Sequence, residues 1–317
     1  MRIVFCGTPE FAVPSLGRLL QEPGITVETV ITQPDRPRGR GRKLGASPVK
    51  DAALAAGLHV YQPEKINSES ASDFFRRVAP DAVIVVAYGR IIPASLLGEP
   101  RLGWINLHAS LLPKYRGAAP INWAIVNGES TTGLTTMQIA AGLDTGPILQ
   151  QIEIPIGPVE TAPELAARMA EAGAPLVIET LKKLERGTIA PLPQDDRQAT
   201  RAPILKKEHG RIDWTQSAQA IYNRIRGLAP WPGAYTTFRG QLCHIWGTPA
   251  AGAAAAGTET PGMIVGSSKR LYVICGEGTC LEVHTAQMEG KTRVPARDFA
   301  NGMRLKSNER FGGVPAT

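Results

Sequence analysis

The first half of the chain alternates short apolar runs with amphipathic stretches. Continuous apolar runs at 3–6 and 82–87 predict buried strands, since strands that are covered on both faces lose the alternation of half-exposed ones. The segment 25–32, which is rich in Val, Ile and Thr, predicts a further strand. Apolar residues at helical spacing lie between these runs, and in the segment 161–186 Gly173 and Pro175 predict a kink or a split. The alternation predicts an α/β fold built on a doubly wound, mainly parallel, Rossmann-like sheet.

The pattern changes after about residue 206. A helix over 215–228 is followed by five short strand patterns with Gly-rich turns, which together predict a small C-terminal β-barrel of the OB type. The segment 188–205 has several prolines and few apolar anchors, so it predicts a linker whose portion 194–201 is exposed. The predicted organisation is a domain at 1–187, the linker at 188–205, a second domain at 206–311 and a disordered tail at 312–317.

Composition narrows the class of protein. The 317 residues are 43% hydrophobic and 20% charged, as in ordinary globular proteins. No stretch approaches the roughly 20 continuous apolar residues of a spanning helix, so we expect a cytoplasmic protein without a membrane partner. The four cysteines are scattered and complete no metal-binding pattern, which predicts buried free thiols and no metal.

Positive charge is concentrated in two places. The net charge is +7, and the chain from Lys206 onward holds 14 Lys and Arg against 8 Asp and Glu. Such a surplus suits an anionic partner such as RNA, although a solubilising surface explains it equally well. The second place is a Pro- and Gly-rich segment at 33–47, which predicts a basic loop without regular structure that contacts phosphates. Its five cations are Arg36, Arg38, Arg40, Arg42 and Lys43.

Further candidates for phosphate contact lie in the second domain. They are Lys206, Lys207, Arg224, Arg226, Lys269, Arg270, Lys291 and Arg293.

Three polar residues carry the candidate chemistry. Asn106 and His108 are two residues apart on a strand, so both side chains point to one face at its carboxyl end. Asp144 follows in a Gly-flanked turn. An amide can stabilise an oxyanion, an imidazole can move a proton, and a carboxylate can orient the imidazole, as acyl transfer requires. Taken singly, each residue also has a structural explanation: a turn cap, a buried histidine and a turn carboxylate.

The runs around these residues carry a resemblance. Asn106-Leu-His108, the segment from Ser110 to Ile121, and Leu143-Asp144-Thr-Gly-Pro resemble the formyltransferase family that uses 10-formyltetrahydrofolate. The resemblance implies attack of an amine on the formyl carbon, with Asn106, His108 and Asp144 as catalytic residues and no metal. It also implies folate contacts by Ser110, Leu111, Leu112 and Pro113. Lys114 and Arg116 are candidates for the folate tail or for RNA phosphates.

The acceptor is the open question within the family. The basic loop resembles the insertion of those members that formylate initiator methionyl-tRNA, where Arg40 would probe the end of the acceptor stem, and these members also carry a C-terminal barrel. We therefore expect initiator methionyl-tRNA as acceptor and a monomeric enzyme. Family members that formylate a 4-amino sugar nucleotide are the main alternative, and glycinamide ribonucleotide and water are others. A non-catalytic RNA-binding protein on the same scaffold is a hypothesis from another class.

Overall fold

The computed structural model describes residues 1–38, 43–250, 260–267, 270–306 and 309–312. The predictions for Arg40, Arg42, Lys269 and the tail at 313–317 lie outside the described residues. The α-helices of the described residues are α1 (Val13–Gln21), α2 (Pro48–Ala55), α3 (Glu69–Val78), α4 (Ala94–Leu97), α5 (Pro120–Val126), α6 (Ala162–Glu185), α7 (Ala218–Gly227) and α8 (Ala296–Gly302).

The chain groups into two compact units. The first comprises Met1–Pro120, Thr131–Pro155 and Glu164–Pro203, and the second comprises Ile121–Ser130, Ile156–Pro163 and Ile204–Thr317. This grouping differs from the predicted limits at both ends of the proposed linker. Within 188–203, Leu192 pairs with Ile148 and the strand Arg201–Ala202 pairs with Arg116–Gly117 of the first unit. Helix α5 lies with the second unit, where Asn122 Nδ2 donates to the Gly227 carbonyl. The linker at 188–205 stays a prediction.

The first unit is built on a seven-stranded sheet with the order β10-β9-β7-β6-β1-β2-β5. Strands β1, β2, β5, β6 and β7 are parallel, and β9 runs antiparallel to its two neighbours, β7 and the edge strand β10. The chain builds outward from β1 to β5 and then returns to the other side of β1, which confirms the doubly wound prediction. The strands are β1 (Arg2–Gly7), β2 (Thr26–Ile31), β3 (Arg36–Arg38), β4 (Lys43–Gly45), β5 (Val60–Tyr61), β6 (Ala82–Val86), β7 (Trp104–His108), β8 (Arg116–Gly117), β9 (Thr131–Gln138), β10 (Ile148–Pro155) and β11 (Arg201–Ala202).

Helix α6 runs without a break through Pro175, so the predicted split does not occur. An internal proline costs about 3 kcal/mol. Four side chains of the helix, those of Leu165, Met169, Val177 and Leu181, are fully buried, and each contributes about 1.5 to 3 kcal/mol. Burial therefore outweighs the proline.

The basic segment contains regular structure, contrary to the prediction from its Pro and Gly content. Strands β3 and β4 form a two-stranded antiparallel ribbon in which Arg36 pairs with Gly45. The sequence pattern missed this ribbon because each strand has only three residues and lacks an apolar alternation. Short strands of this kind are defined by backbone pairing across a short connection.

The second unit contains a six-stranded antiparallel sheet with the order β12-β13-β16-β15-β14, in which β17 pairs with β16. The sheet curls around a core that includes Trp214, Phe238, Phe299 and Phe311, which confirms a barrel-like second domain. Within the described ranges, no helix is long and apolar enough to cross a membrane. The strands are β12 (Tyr235–Phe238), β13 (Gln241–Pro249), β14 (Ile264–Ser267), β15 (Arg270–Ile274), β16 (Cys280–Met288) and β17 (Val294–Pro295).

Candidate active site

Strand β7 presents Asn106 and His108 on one face of the sheet, as the period of two predicts. The intervening Leu107 points to the opposite face, where it meets Gly173 of α6; a larger residue at 173 would collide with the leucine side chain. Asn106 is half-buried, and its amide makes no hydrogen bond within the described part of the chain. Asn106 therefore keeps both amide hydrogens for a ligand.

The His108 imidazole is buried and held in a defined orientation. Its ring is 6% exposed, and Nε2 lies 3.0 Å from the backbone carbonyl oxygen of Tyr115. A carbonyl oxygen can only accept, so Nε2 must carry a hydrogen and donate it. The nitrogen that gains and loses a proton is consequently Nδ1.

Asp144 faces that nitrogen. Its Oδ2 lies 3.7 Å from His108 Nδ1 and accepts a hydrogen bond of 2.9 Å from the backbone N–H of Gly117. The separation is too long for a direct hydrogen bond but short enough for strong electrostatic stabilisation of an imidazolium. Asp144 has a φ of +52°, a left-handed conformation that Asp adopts more readily than most residues. The three predicted catalytic residues thus lie at one end of the sheet.

The predicted folate loop follows β7. Ser110 is fully buried, and its hydroxyl donates to the Lys114 carbonyl at 2.6 Å, so this side chain stabilises the loop. Leu112 is 3% exposed and packs with Met137 and Ile148. Leu111 and Pro113 are partly exposed, and they are the members of the set whose side chains can reach a ligand. Folate binding by this loop stays a prediction.

The base of the basic ribbon is anchored by Asp35. Its carboxylate accepts from Lys50 Nζ at 2.6 Å and from Gln62 Nε2 at 2.8 Å. The bond from Lys50, followed by that from Gln62, lowers the pKa of Asp35 below its ordinary value. Arg36, the next residue, is exposed, and the backbones of Arg38 and Lys43 pair in the ribbon. The anchor positions an exposed arginine at the start of the basic segment.

The candidate cations of the second unit divide into exposed and buried side chains. Lys206 and Lys207 are exposed. Arg226 is 6% exposed and donates to the carbonyls of Gly157 and Glu160, and burial lowers its pKa. Arg224 donates to the His209 carbonyl. Arg224 and Arg226 therefore have a structural role, in place of the phosphate contact for which the sequence made them candidates. The exposed cations that remain are Arg270, Lys291 and Arg293.

Arg116 also has a structural role. Its hydrogen bonds lead to Gln194, a residue that the sequence did not indicate as functional. It is 6% exposed and donates to Gln194 Oε1 and to Asp196 Oδ1, so it cannot serve a folate tail or RNA. Gln194 lies in the predicted exposed linker, yet its amide donates to the carbonyls of Asp144 and Gly146. The only sequence signal was a polar segment, which does not distinguish this role from a solvated loop.

The cysteines agree with the sequence interpretation. All four are free and buried, which confirms the predicted thiols. Burial raises the pKa of Cys243 and of Cys275 to about 12. Among the residues that the structure describes, no three His, Cys, Asp or Glu side chains come together in a way that could hold a metal ion.

Comparison with known proteins places this geometry in a family. Residues 1–181 match the formyl transferase family model, and residues 204–304 match the model of the formyl transferase C-terminal domain. An N-formyltransferase from Helicobacter canadensis, solved with folinic acid and dTDP-3-aminofucose, superposes with a TM-score of 0.64 at 17% identity, covering 90% of this chain and 98% of its own. At that identity the similarity indicates the fold alone.

Full-length relatives are much closer in sequence. The chain is 56% identical over 312 residues to the methionyl-tRNA formyltransferase of Solibacter usitatus, covering 98% of this chain and 99% of the relative. It is 55% identical over 313 residues to that of Koribacter versatilis, with coverage of 98% and 99%. With the matched family models and the Asn106, His108 and Asp144 geometry, these identities show that the chain belongs to the methionyl-tRNA formyltransferases of the formyl transferase family.

Proposed function

We propose that the chain transfers the formyl group of 10-formyltetrahydrofolate to the α-amino group of methionine on initiator methionyl-tRNA. The product, N-formylmethionyl-tRNA, serves translation initiation. The proposal rests on the Asn106 amide, which has no hydrogen-bond partner among the described residues, and on the His108 nitrogen that faces Asp144. The chain is 56% identical to a methionyl-tRNA formyltransferase. We further propose that the enzyme is monomeric and cytoplasmic.

The reaction needs an oxyanion donor and a proton carrier. The amine lone pair forms a bond to the formyl carbon, and the carbonyl π electrons move to the oxygen. Asn106 donates a hydrogen bond to that developing oxyanion, since its amide has no other partner in the described residues. The tetrahedral intermediate then collapses as the bond from the formyl carbon to the folate nitrogen breaks. The folate nitrogen takes up one proton, and the attacking amine loses one.

His108 is the proton carrier in this scheme. Because the Tyr115 carbonyl occupies Nε2, Nδ1 takes the proton from the attacking amine and becomes part of an imidazolium. Asp144 Oδ2, 3.7 Å away, stabilises that positive charge and helps return the proton to the folate nitrogen. The burial of His108 strengthens this electrostatic interaction, since water screens it less.

We propose that the folate lies against the loop at 110–113. The partly exposed Leu111 and Pro113 offer apolar surface to an aromatic ring system. Ser110 and Leu112 act beneath this surface, because their side chains are buried. The loop lies directly after His108 in the chain, so folate held there brings its formyl group toward the catalytic residues.

We propose that tRNA is bound through exposed cations. Arg36 and the basic segment up to Lys43 would contact the phosphates of the acceptor stem, and Lys206 and Lys207 would contact the tRNA at the start of the second unit. Exposure of Arg36, Lys206 and Lys207 supports these assignments. Arg38, Arg40, Arg42 and Lys43 belong to the same proposal.

The proposed function is tested by supplying 10-formyltetrahydrofolate with three acceptors in parallel. They are methionyl initiator tRNA, methionyl elongator tRNA and a 4-amino sugar nucleotide. We expect rapid formylation of the initiator alone. Formylation of the sugar nucleotide alone would favour the alternative acceptor and contradict the proposed role of the basic segment, whereas no formylation of any acceptor would contradict formyl transfer itself.

A further inference from the structure

We propose that Gln194 is a positioning residue that holds the Asp144 turn in register with His108. Nε2 of Gln194 donates to the Asp144 carbonyl at 2.9 Å and to the Gly146 carbonyl at 2.7 Å. Both amide hydrogens are therefore spent on the turn that carries the catalytic carboxylate. The activity readouts below rest on the proposed function.

The turn needs this support because its backbone is strained. Asp144 is a non-glycine residue with a φ of +52°, a conformation that persists where surrounding contacts fix it. At Gly146 a Cβ would collide with the Gln138 carbonyl oxygen, so the chain there approaches its neighbour as closely as glycine allows. The two hydrogen bonds of the Gln194 amide connect Asp144, whose backbone is strained, with Gly146, where the chain approaches Gln138.

Arg116 fixes the orientation of the Gln194 amide. Its Nε and Nη2 donate to Gln194 Oε1 at 3.0 and 2.8 Å. An arginine only donates, so the amide oxygen must face it and the amide hydrogens must face the turn. Nη2 also donates to Asp196 Oδ1 at 2.8 Å, which gives the guanidinium a second partner.

The network closes on the catalytic carboxylate. Gly117 follows Arg116 in β8, and its N–H donates to Asp144 Oδ2 at 2.9 Å. Strand β11 pairs with β8, so the segment that carries Gln194 is attached to the same loop. Two adjacent residues thus hold Asp144. Gly117 binds its carboxylate directly, and Arg116 acts on its backbone carbonyl through Gln194. Without Gln194, Asp144 keeps the hydrogen bond from Gly117 to its carboxylate and loses the one to its carbonyl.

The first experiment replaces Gln194 with methionine, which keeps the length of the side chain and removes its hydrogen bonds. The matched control is Gln198→Met, since Gln198 is exposed and its amide donates to Asp195 on the same surface turn. We expect Gln194→Met to lower kcat by about 10- to 100-fold, as small misplacements of catalytic groups do. The KM values for both substrates should stay unchanged. Wild-type kcat in Gln194→Met would overturn the proposal.

A double-mutant cycle separates positioning from general stability. If Gln194 acts through Asp144, then Gln194→Met in an Asp144→Asn background should lower kcat by less than about twofold further. A full, independent loss in that background would overturn the proposal, because it would mean that Gln194 affects turnover by another route. Thermal unfolding of each variant verifies that the proteins compared are folded.

A third readout does not depend on turnover. The ¹H and ¹⁵N resonances of the His108 ring, assigned with His108→Gln, report its tautomer and surroundings at a fixed pH. We expect these resonances to move in Gln194→Met and to stay in place in Gln198→Met. If the wild-type protein formylates no acceptor, the proposed function fails, and this measurement still decides the structural inference. Unchanged His108 resonances in Gln194→Met would overturn it.

Discussion

Asp144 Oδ2 lies 3.7 Å from His108 Nδ1, while His108 Nε2 is held by the Tyr115 carbonyl. The orientation of the imidazole therefore comes from a backbone carbonyl, and the carboxylate supplies charge. The sequence suggested that Asp144 both orients and stabilises His108. The structure assigns orientation to Tyr115 because a 3.7 Å separation does not define a hydrogen bond.

Asp144→Asn should lower kcat at least about 100-fold with little change in either KM, since it removes the charge that stabilises the imidazolium. Asparagine tolerates the left-handed backbone, and its amide oxygen can still accept from Gly117. Steady-state kinetics, in which each substrate is varied at a saturating concentration of the other, measure kcat and both KM values. Asp195→Asn, a change at a carboxylate that pairs with Arg197, is the control. An effect on KM alone would make Asp144 a substrate-binding residue.

Arg36→Ala should raise the KM for methionyl-tRNA severalfold and reduce the slope of log affinity against log salt by about one, as the loss of one phosphate contact does. The KM for folate should not change. Arg77→Ala is the matched control, because Arg77 is an exposed arginine in α3. Equal KM values and slopes for Arg36→Ala and Arg77→Ala would contradict tRNA binding at this position. Arg40→Ala extends the test to the end of the acceptor stem.

Arg226→Met should destabilise the second unit by about 2 to 4 kcal/mol, because the carbonyls of Gly157 and Glu160 lose a buried donor. The KM for tRNA should stay unchanged at temperatures where the variant is folded. Urea unfolding and tRNA kinetics measure the two effects, with the exposed Arg211→Met as control. A raised KM in a fully folded Arg226→Met would return this residue to the tRNA contacts.

The cysteine thiols should resist modification in the folded protein. Burial raises the pKa of Cys243 and Cys275 to about 12, so at pH 8 only about one thiol in 10,000 is a thiolate. We expect dithiobis(nitrobenzoate) to label no thiol rapidly in the native protein and all four after unfolding in guanidinium. Rapid native labelling of either cysteine would contradict its burial.

The catalytic set could be predicted from the sequence because its signals are local. Asn106 and His108 share a strand, so their spacing predicts a common face. The resemblance of the surrounding runs to the formyltransferase family joined Asp144 to them. Gln194 could not be found in this way, since its partners lie 50 and 78 residues away. For a related reason, the sequence did not show that Arg116 and Arg226 are buried and structural. The sequence does not distinguish an arginine that binds RNA from one that donates hydrogen bonds to buried carbonyls. Burial in the folded chain distinguishes these two roles.

The sheet was predicted more fully than the segments around it. Apolar runs identify strands that are covered on both faces, and the order of strands and helices follows from their alternation. The ribbon of β3 and β4 lacks such runs, and the segment at 188–203 has few apolar residues. Backbone pairing, such as that between Leu192 and Ile148, attaches this segment to the first unit. Such pairing does not depend on the side chains, so the pattern of apolar residues does not predict it.

The proposed mechanism depends most on Asn106, which donates a hydrogen bond to the oxyanion of formyl transfer. The most direct measurement is the rate of formylation of initiator methionyl-tRNA by Asn106→Ala, with both substrates saturating and with the exposed Asn301→Ala as control. We predict a rate about 100-fold lower, equivalent to about 3 kcal/mol, with thermal stability unchanged because the amide has no partner in the described residues. A rate within about twofold of the wild-type value would contradict the account.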